Sequence, residues 1–270
     1  MPAKTPRAAT RRFDVLGVPV DLVDLEGAVD RIEGWIQARD GRLRYAVCAE
    51  SRLIMECRRD PRLNEAVMQA DLVVADGMPL VWLARLRGYG QRERVTAYDL
   101  LLGVSERSAR RGYSCYFYGG RPGVPELVAQ RLSECFPGLK VAGTMSPPFR
   151  PLTELEASEV NRTIEATRPD ILWVGLGCPR QEPWARARVG KLNVSVAITI
   201  GAAFDFCAGT VARAPVWMQR SGLEWLHRLF QEPRRLWRRY LWLGPQFVVL
   251  ALLEVFRERV RDVFCGTRRA

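Results

Sequence analysis

Between Ser114 and Ile200, short apolar runs alternate with amphipathic segments at a spacing that few architectures accommodate. Ser114–Tyr118, Leu139–Ala142, Ile171–Val174 and Val194–Ile200 read as buried strands. Val124–Cys135, Glu154–Thr167 and Gln181–Arg188 read as the helices between them. Strands that are apolar throughout, each followed by a helix, call for a parallel sheet covered on both faces. The first half fits the same scheme less regularly. Phe13 opens a short strand, a Gly17–Pro19 corner and a second strand. A helix is expected over 25–39, strands at Tyr45–Cys48 and Leu72–Ala75, and helices near 51–59, 61–70, 79–86 and 98–111. The expected fold is α/β, a Rossmann-like, mostly parallel sheet with helices on both faces, followed by a helical C-terminal appendage.

Charge divides the chain in the same way. Of 270 residues, 41 are basic and 30 acidic, a net charge of +11. Residues 13–212 are neutral overall, and the excess lies in the first 12 residues and in the Arg/Trp-rich stretch 213–270. A flexible basic leader is therefore expected over 1–12, an α/β domain over 13–212 and the appendage over 213–270. Nucleic acid, an anionic membrane surface or a diphosphate ligand would each suit basic ends on a neutral body. The single histidine, His227, excludes a metal site built from several imidazoles. Seven scattered cysteines without a C-x-x-C pair read as reduced thiols of an intracellular protein. No secretory signal is expected, since the leader has no apolar segment after its charges. The longest uncharged apolar run, Tyr240 to Leu253, is 14 residues. A spanning helix needs roughly 20, so this run is expected to be buried or interfacial.

In open parallel sheets ligands bind beyond the carboxyl ends of the strands. The residues to inspect are therefore Glu50-Ser51, Asp76-Gly77, Gly119 to Gly123, Gly175 to Glu182 and Gly201 to Asp205. Three of these are glycine-containing turns into helices, the kind of turn whose backbone N–H groups approach a phosphate. Asp76 follows four apolar residues and precedes a glycine. It serves equally as a turn-forming aspartate or as a general base beside a partly dry pocket. Arg94 fits a surface ion pair or a phosphate clamp, and residue type alone favours the surface pair.

Taken in order, the motifs are more specific than any one of them. They are Ala75-Asp76-Gly77-Met78-Pro79, Arg94-Val95-Thr96 with Asp99-Leu100, Phe117-Tyr118-Gly119-Gly120, and the run Pro169 to Glu182. Then come Gly201 to Asp205 with Ala208-Gly209, Arg213-Ala214-Pro215, Gly222 to Arg228, and Glu232-Pro233-Arg234. This series resembles the WecG/TagA/CpsF family of bacterial glycosyltransferases over residues 13–245. The resemblance implies an inverting, metal-independent hexosyltransferase that uses a UDP-sugar and no cofactor. The hexose would be N-acetylmannosamine, its uronic acid or glucose, moved to an undecaprenyl-diphosphate-linked saccharide in teichoic acid or exopolysaccharide synthesis. It implies peripheral attachment to the cytoplasmic face of the cell membrane. Asp76 falls at the family's base, Arg94 at its cleft arginine and Gln181 at its motif glutamine. Asp205 falls where the family contacts the nucleotide, and Arg228, Arg235 and Arg238 fall on its C-terminal arginines. Gly119, Gly120 and Gly177 belong to the expected substrate-binding turns. Where many members have Thr-x-Asn, this chain has Cys48-Ala49-Glu50, a departure that puts the donor contacts there in doubt and makes the Glu50 carboxylate a candidate to alter sugar selection.

Local chemistry is consistent with that resemblance. The chain has no Asp-x-Asp, the spacing by which many glycosyltransferases hold a divalent metal on the donor diphosphate. Arginines neutralise such a leaving group by charge-assisted hydrogen bonds instead. A dinucleotide-binding dehydrogenase is disfavoured because no Gly-x-Gly-x-x-Gly follows a strand. A nucleic-acid-binding module built on the Arg/Trp tail is the non-enzymatic alternative, and nucleic acid is not an expected partner of the transferase. In the tail, Trp225, Trp237, Tyr240 and Trp242 lie among Arg228, Arg234, Arg235, Arg238 and Arg239, a pattern suited to an anionic headgroup layer. Arg235 and Arg238, three apart, are expected to swing over the cleft onto a diphosphate. The apolar stretch after them would lie in the membrane interface or against a second copy in a homo-oligomer.

Overall fold

The computed structural model describes residues 11–91 and 93–265. Most of the expected basic leader lies outside these residues, and Arg12 already stands in the first strand. Two short strands, β1 (Arg12–Val15) and β2 (Val18–Asp21), form an antiparallel hairpin around the Gly17 corner. The remaining strands are β3 (Arg44–Ala49), β4 (Leu72–Ala75), β5 (Ser114–Gly119), β6 (Lys140–Met145), β7 (Ile171–Gly175) and β8 (Val196–Thr199). They form one six-stranded sheet in the order β4-β3-β8-β7-β5-β6, with every pairing parallel.

Why the strands are apolar on both sides is clear from the packing. Along β3, Val47 and Ala49 face one core while Ala46 and Cys48 face the other. Each core is a layer of helices closing over one side of the pleat. The first layer holds the hairpin and the helices Ser51–Cys57, Pro61–Met68 and Gln181–Arg186. The second holds Leu25–Ala38, Ala97–Arg111, Val124–Cys135 and Ala203–Cys207. Local signals start several of these helices. Asp24 and Thr96 accept hydrogen bonds from N–H groups of their first turns, and Thr153 with Glu156 forms a reciprocal capping box.

After Arg213 the chain runs through short helices at Val216–Arg220, Glu224–Gln231 and Pro233–Trp237, then a π-helical turn at Arg238–Leu243 and a helix at Gly244–Cys265. The uncharged run Tyr240–Leu253 therefore belongs to a longer helical stretch. By length and composition alone, Pro233–Arg261, 29 residues, is long and apolar enough to cross a membrane. In this structure it lies along the α/β body. Leu243, Phe247, Ala251 and Val255 are buried in the first core. Arg87, whose side chain is only 3% exposed, pairs with Glu254 at 2.5 Å and Glu258 at 3.0 Å. The outward side of the same helix carries exposed Trp242, Val249, Leu252 and Phe256. These four recur at seven, three and four residues, so they share one face.

Candidate active site

The parallel register brings the carboxyl ends of the strands to one edge, where Ala49 pairs with Ala75 and Gly119 with Gly175. Asp76 leaves β4 at that edge, and its N–H donates to the Ala49 carbonyl at 2.8 Å. Val95 N–H donates to the Ala75 carbonyl at 2.9 Å, which lays the 94–96 segment beside the end of β4. Arg94 and Asp76 thus become neighbours although 18 residues separate them in the chain. The Ala97 N–H, in the first turn of the helix Ala97–Arg111, donates to the Asp76 carboxylate. Burial and the neighbouring Glu50 carboxylate nevertheless push Asp76 up to about 7, against the opposing pull of Arg94. A carboxylate poised there at a strand end is suited to accept a proton near neutral pH.

Two ion pairs cross from the α/β body to the C-terminal appendage on either side of Asp76. Arg94 donates to Glu224 at 2.8 Å. Glu50, which precedes the helix Ser51–Cys57, is bound by Arg239 of the π-helical turn. The surface role that residue type favoured for Arg94 gives way to a cleft position, because its guanidinium is held where the appendage closes over the strand ends. Glu224 and Arg239 were not among the expected site residues. Glu224 was visible within the Gly222–Arg228 motif, but nothing in its spacing pointed to Arg94.

Gln181 stands at the start of the helix after β7 and is buried. Its amide oxygen accepts from Gly177 N–H at 3.1 Å, and its amide nitrogen donates to Glu182 at 2.9 Å. Glu182 is almost completely buried, and its second carboxylate oxygen has no hydrogen-bond partner. Burial pushes it up to about 7. Cys48 is buried between the fields of Asp76 and Glu182, with its thiol pushed well up by desolvation and by both carboxylates. It is a neutral wall of the site.

Two of the strand-end glycines also have a packing role. A Cβ on Gly119 would lie 2.5 Å from the carbonyl carbon of Gly175, and one on Gly175 would meet the Phe204 ring at 2.4 Å. Both are required for close packing between β5, β7 and the helix Ala203–Cys207. Gly120 N–H donates to the Gly175 carbonyl at 3.0 Å, and Gly177 N–H is held by Gln181. Both of these amides are engaged within the protein in this arrangement.

Asp205, in the helix after β8 and two strands along the sheet from the end of β4 that carries Asp76, accepts from Thr210 at 3.1 Å and pairs with Arg121 at 3.6 Å. Arg228 stands between that helix and the Asp76 cluster: its guanidinium is 5.3 Å from the ring centre of Phe206, and its charge acts on Tyr240 together with Arg239, Glu50 and Glu224. Arg235 pairs with Glu232 at 2.7 Å, and Arg238 lies over Trp237. Rather than reaching over Asp76, these two line an open depression of about 230 Å³ together with Arg52, Glu56, Leu236, Arg239 and Leu243. Four guanidinium groups therefore converge beside the cleft, with Arg239 at the cleft end. Among the described residues, no group of three or more His, Cys, Asp or Glu side chains is placed to hold a metal ion.

The sequence that forms this site is similar to known proteins. The family model described as Glycosyl transferase WecG/TagA/CpsF family matches residues 13–261. A protein of Bacillus spizizenii named N-acetylglucosaminyldiphosphoundecaprenol N-acetyl-beta-D-mannosaminyltransferase is 30% identical over 208 residues, 77% of this chain and 78% of the relative. Its namesake in Bacillus subtilis is 31% identical over 199 residues, covering 73% and 74%. A Staphylococcus aureus protein of the same name is 23% identical over 232 residues, covering 86% and 89%. Matched along nearly its whole described length, and with the strand-end motifs assembled at one edge of its sheet, the chain belongs to the WecG/TagA/CpsF family of glycosyltransferases.

Proposed function

We propose that this glycosyltransferase moves N-acetylmannosamine from its UDP derivative to N-acetylglucosamine carried on undecaprenyl diphosphate, with inversion and without a metal ion. The observation that carries the mechanism is Asp76, a strand-end carboxylate pushed up to about 7 and flanked by Arg94 and the Glu50–Arg239 pair. The names of the relatives supply the sugars and the carrier. In a single displacement, the acceptor hydroxyl attacks the anomeric carbon while Asp76 takes its proton. The bond from that carbon to the phosphate oxygen breaks, and its electron pair leaves with UDP. One displacement inverts the anomeric centre. Arg228, beside Phe206 and near Asp205, is placed to meet the negative charge that develops on the leaving diphosphate. The depression where Arg52, Arg235 and Arg238 meet suits the diphosphate of the acceptor.

The acceptor's lipid anchor brings the protein to the inner face of the membrane, and the outward side of the C-terminal helix suits that surface. Trp242, Val249, Leu252 and Phe256 are exposed on one face, and arginines 234, 235 and 238 are exposed on the preceding turns. Each basic residue near an anionic leaflet adds about 1 kcal/mol, enough collectively for reversible attachment. The deciding experiment offers a panel of UDP-hexoses to the full-length chain with a lipid-diphosphate-linked N-acetylglucosamine acceptor. Transfer of N-acetylmannosamine with release of UDP is expected. UDP release dependent on a different acceptor, or no transfer from any UDP-sugar, overturns the reading.

A further inference from the structure

We propose that the Glu50–Arg239 ion pair determines donor choice and restricts transfer to hexoses that carry no carboxylate. The inference rests on Asp76 acting as the base. A base within hydrogen-bond reach of the acceptor hydroxyl, and a hydroxyl about 3–3.5 Å from the anomeric carbon, place the donor ring next to Asp76. Glu50 borders the same spot. Its chain neighbour Ala49 accepts the Asp76 N–H at 2.8 Å, and a Cβ on Gly77 would lie 3.7 Å from the Glu50 Cα. A sugar placed against the base therefore lies beside Glu50, whose charge already acts on Asp76.

The charge at that spot is already committed. Asp76, Glu50 and Glu224 converge there, and the two cleft guanidiniums, Arg94 and Arg239, are each bound to one of these carboxylates. A uronic acid donor would bring a further anion into a place where both cations are occupied. Taking Arg239 from Glu50 would strand Glu50 as a half-buried anion beside Asp76. Arg239 is also not free to serve two partners. Its side chain is only 14% exposed, it springs from the π-helical turn, and its guanidinium lies 5.1 Å from the Tyr240 ring centre. A neutral N-acetylhexosamine needs only hydrogen bonds, which the Glu50 carboxylate accepts from hydroxyl groups. Two like charges about 6 Å apart at an effective dielectric near 20 repel by an amount equivalent to on the order of 100-fold in kcat/KM. Partial compensation by the arginines brings the expected contribution of Glu50 to about ten-fold or more.

The test is a donor competition with the full-length chain and the lipid-linked acceptor, comparing UDP-N-acetylmannosamine with UDP-N-acetylmannosaminuronate. The wild type is expected to favour the neutral donor by about 100-fold. Glu50→Gln, which frees Arg239 for a carboxylate, is expected to narrow that ratio about ten-fold or more, mainly through a lower KM for the uronate. Glu50→Asp is expected to keep the wild-type ratio, and Arg239→Gln is expected not to narrow it. UDP affinity, measured by calorimetry, shows that each variant retains its fold. Equal use of both donors by the wild type overturns the proposal, as does an unchanged ratio in a Glu50→Gln variant that binds UDP. An error in the assignment of the base shows itself separately, as undiminished turnover in Asp76→Asn.

Discussion

Replacing Asp76 by Asn keeps the shape of the side chain and removes its charge, and two opposite effects follow. The first is on turnover, since loss of a positioned base lowers the rate by about 10²–10⁴. The second is on stability, and its size comes from the rise of this carboxyl from 3.8 to about 7 on folding. Between those values the folded chain holds a proton that the unfolded chain has released. Native stability therefore falls as pH rises through that window, and the penalty is complete above about 7. At about 1.4 kcal/mol per pH unit, the full rise corresponds to about 4 kcal/mol. Water reaching this half-buried side chain reduces that to about 2 kcal/mol. For a chain of this size the gain in Asp76→Asn corresponds to a Tm about 4–8 °C higher at pH 8. It should shrink steadily as the pH is lowered toward 4. Thermal unfolding of wild type and variant from pH 4 to 8, beside turnover at pH 8, reads both effects. A variant less stable than wild type at pH 8, or a gain that grows with acidity, refutes the electrostatic reasoning. Wild-type turnover refutes the role as base.

Three further outcomes test other parts of the site. The acid limb of kcat/KM against pH should fall near 7, because Asp76 must lose its proton to act; in Glu50→Gln it should move to lower pH, since the removed carboxylate is one cause of the raised value. A limb unmoved by that substitution disconnects Glu50 from the base. Activity should survive EDTA, and complete loss restored by magnesium or manganese defeats neutralisation by arginine. The triple change of Trp242, Leu252 and Phe256 to Ser should leave Tm within about 2 °C and abolish binding to anionic liposomes, because all three face outward. Ending the chain after Ser221 should also weaken the fold, since it removes Leu236, Leu243, Phe247, Ala251 and Val255 from burial. Undiminished liposome binding by the triple variant refutes the membrane role, and a dimer formed by the wild type but lost in the variant assigns the stripe to a second copy instead.

Residue pattern alone carried the α/β layers, and several elements, such as β4 and the helices Val124–Cys135 and Glu154–Thr167, fall where periodicity placed them. The reason is that burial on one or both faces is written locally, in every second or every third and fourth residue. The strand-end position of Asp76 was legible for the same reason, because the end of an apolar run in a parallel sheet is also the rim of the cleft. What surrounds Asp76 was not legible. Arg94 reaches it only because Val95 bonds to the end of β4, and Glu224 arrives from 130 residues further along the chain. The glycine turns suggested phosphate cradles, yet Gly119 and Gly175 are needed where two backbones and the Phe204 ring meet, a contact absent from either local sequence. The tail shows most plainly where local reading stops. Helical spacing paired Arg235 with Arg238, and both do line one depression, while the wider π-helical turn at Arg238–Leu243 rotates the chain that follows relative to an α-helix. With Leu236, Leu243 and Phe247 held in the core, that rotation delivers Arg239 to Glu50 and leaves Arg235 and Arg238 at the open depression. Which arginine enters the cleft is a matter of helix phase, and phase is set by what the helix packs against.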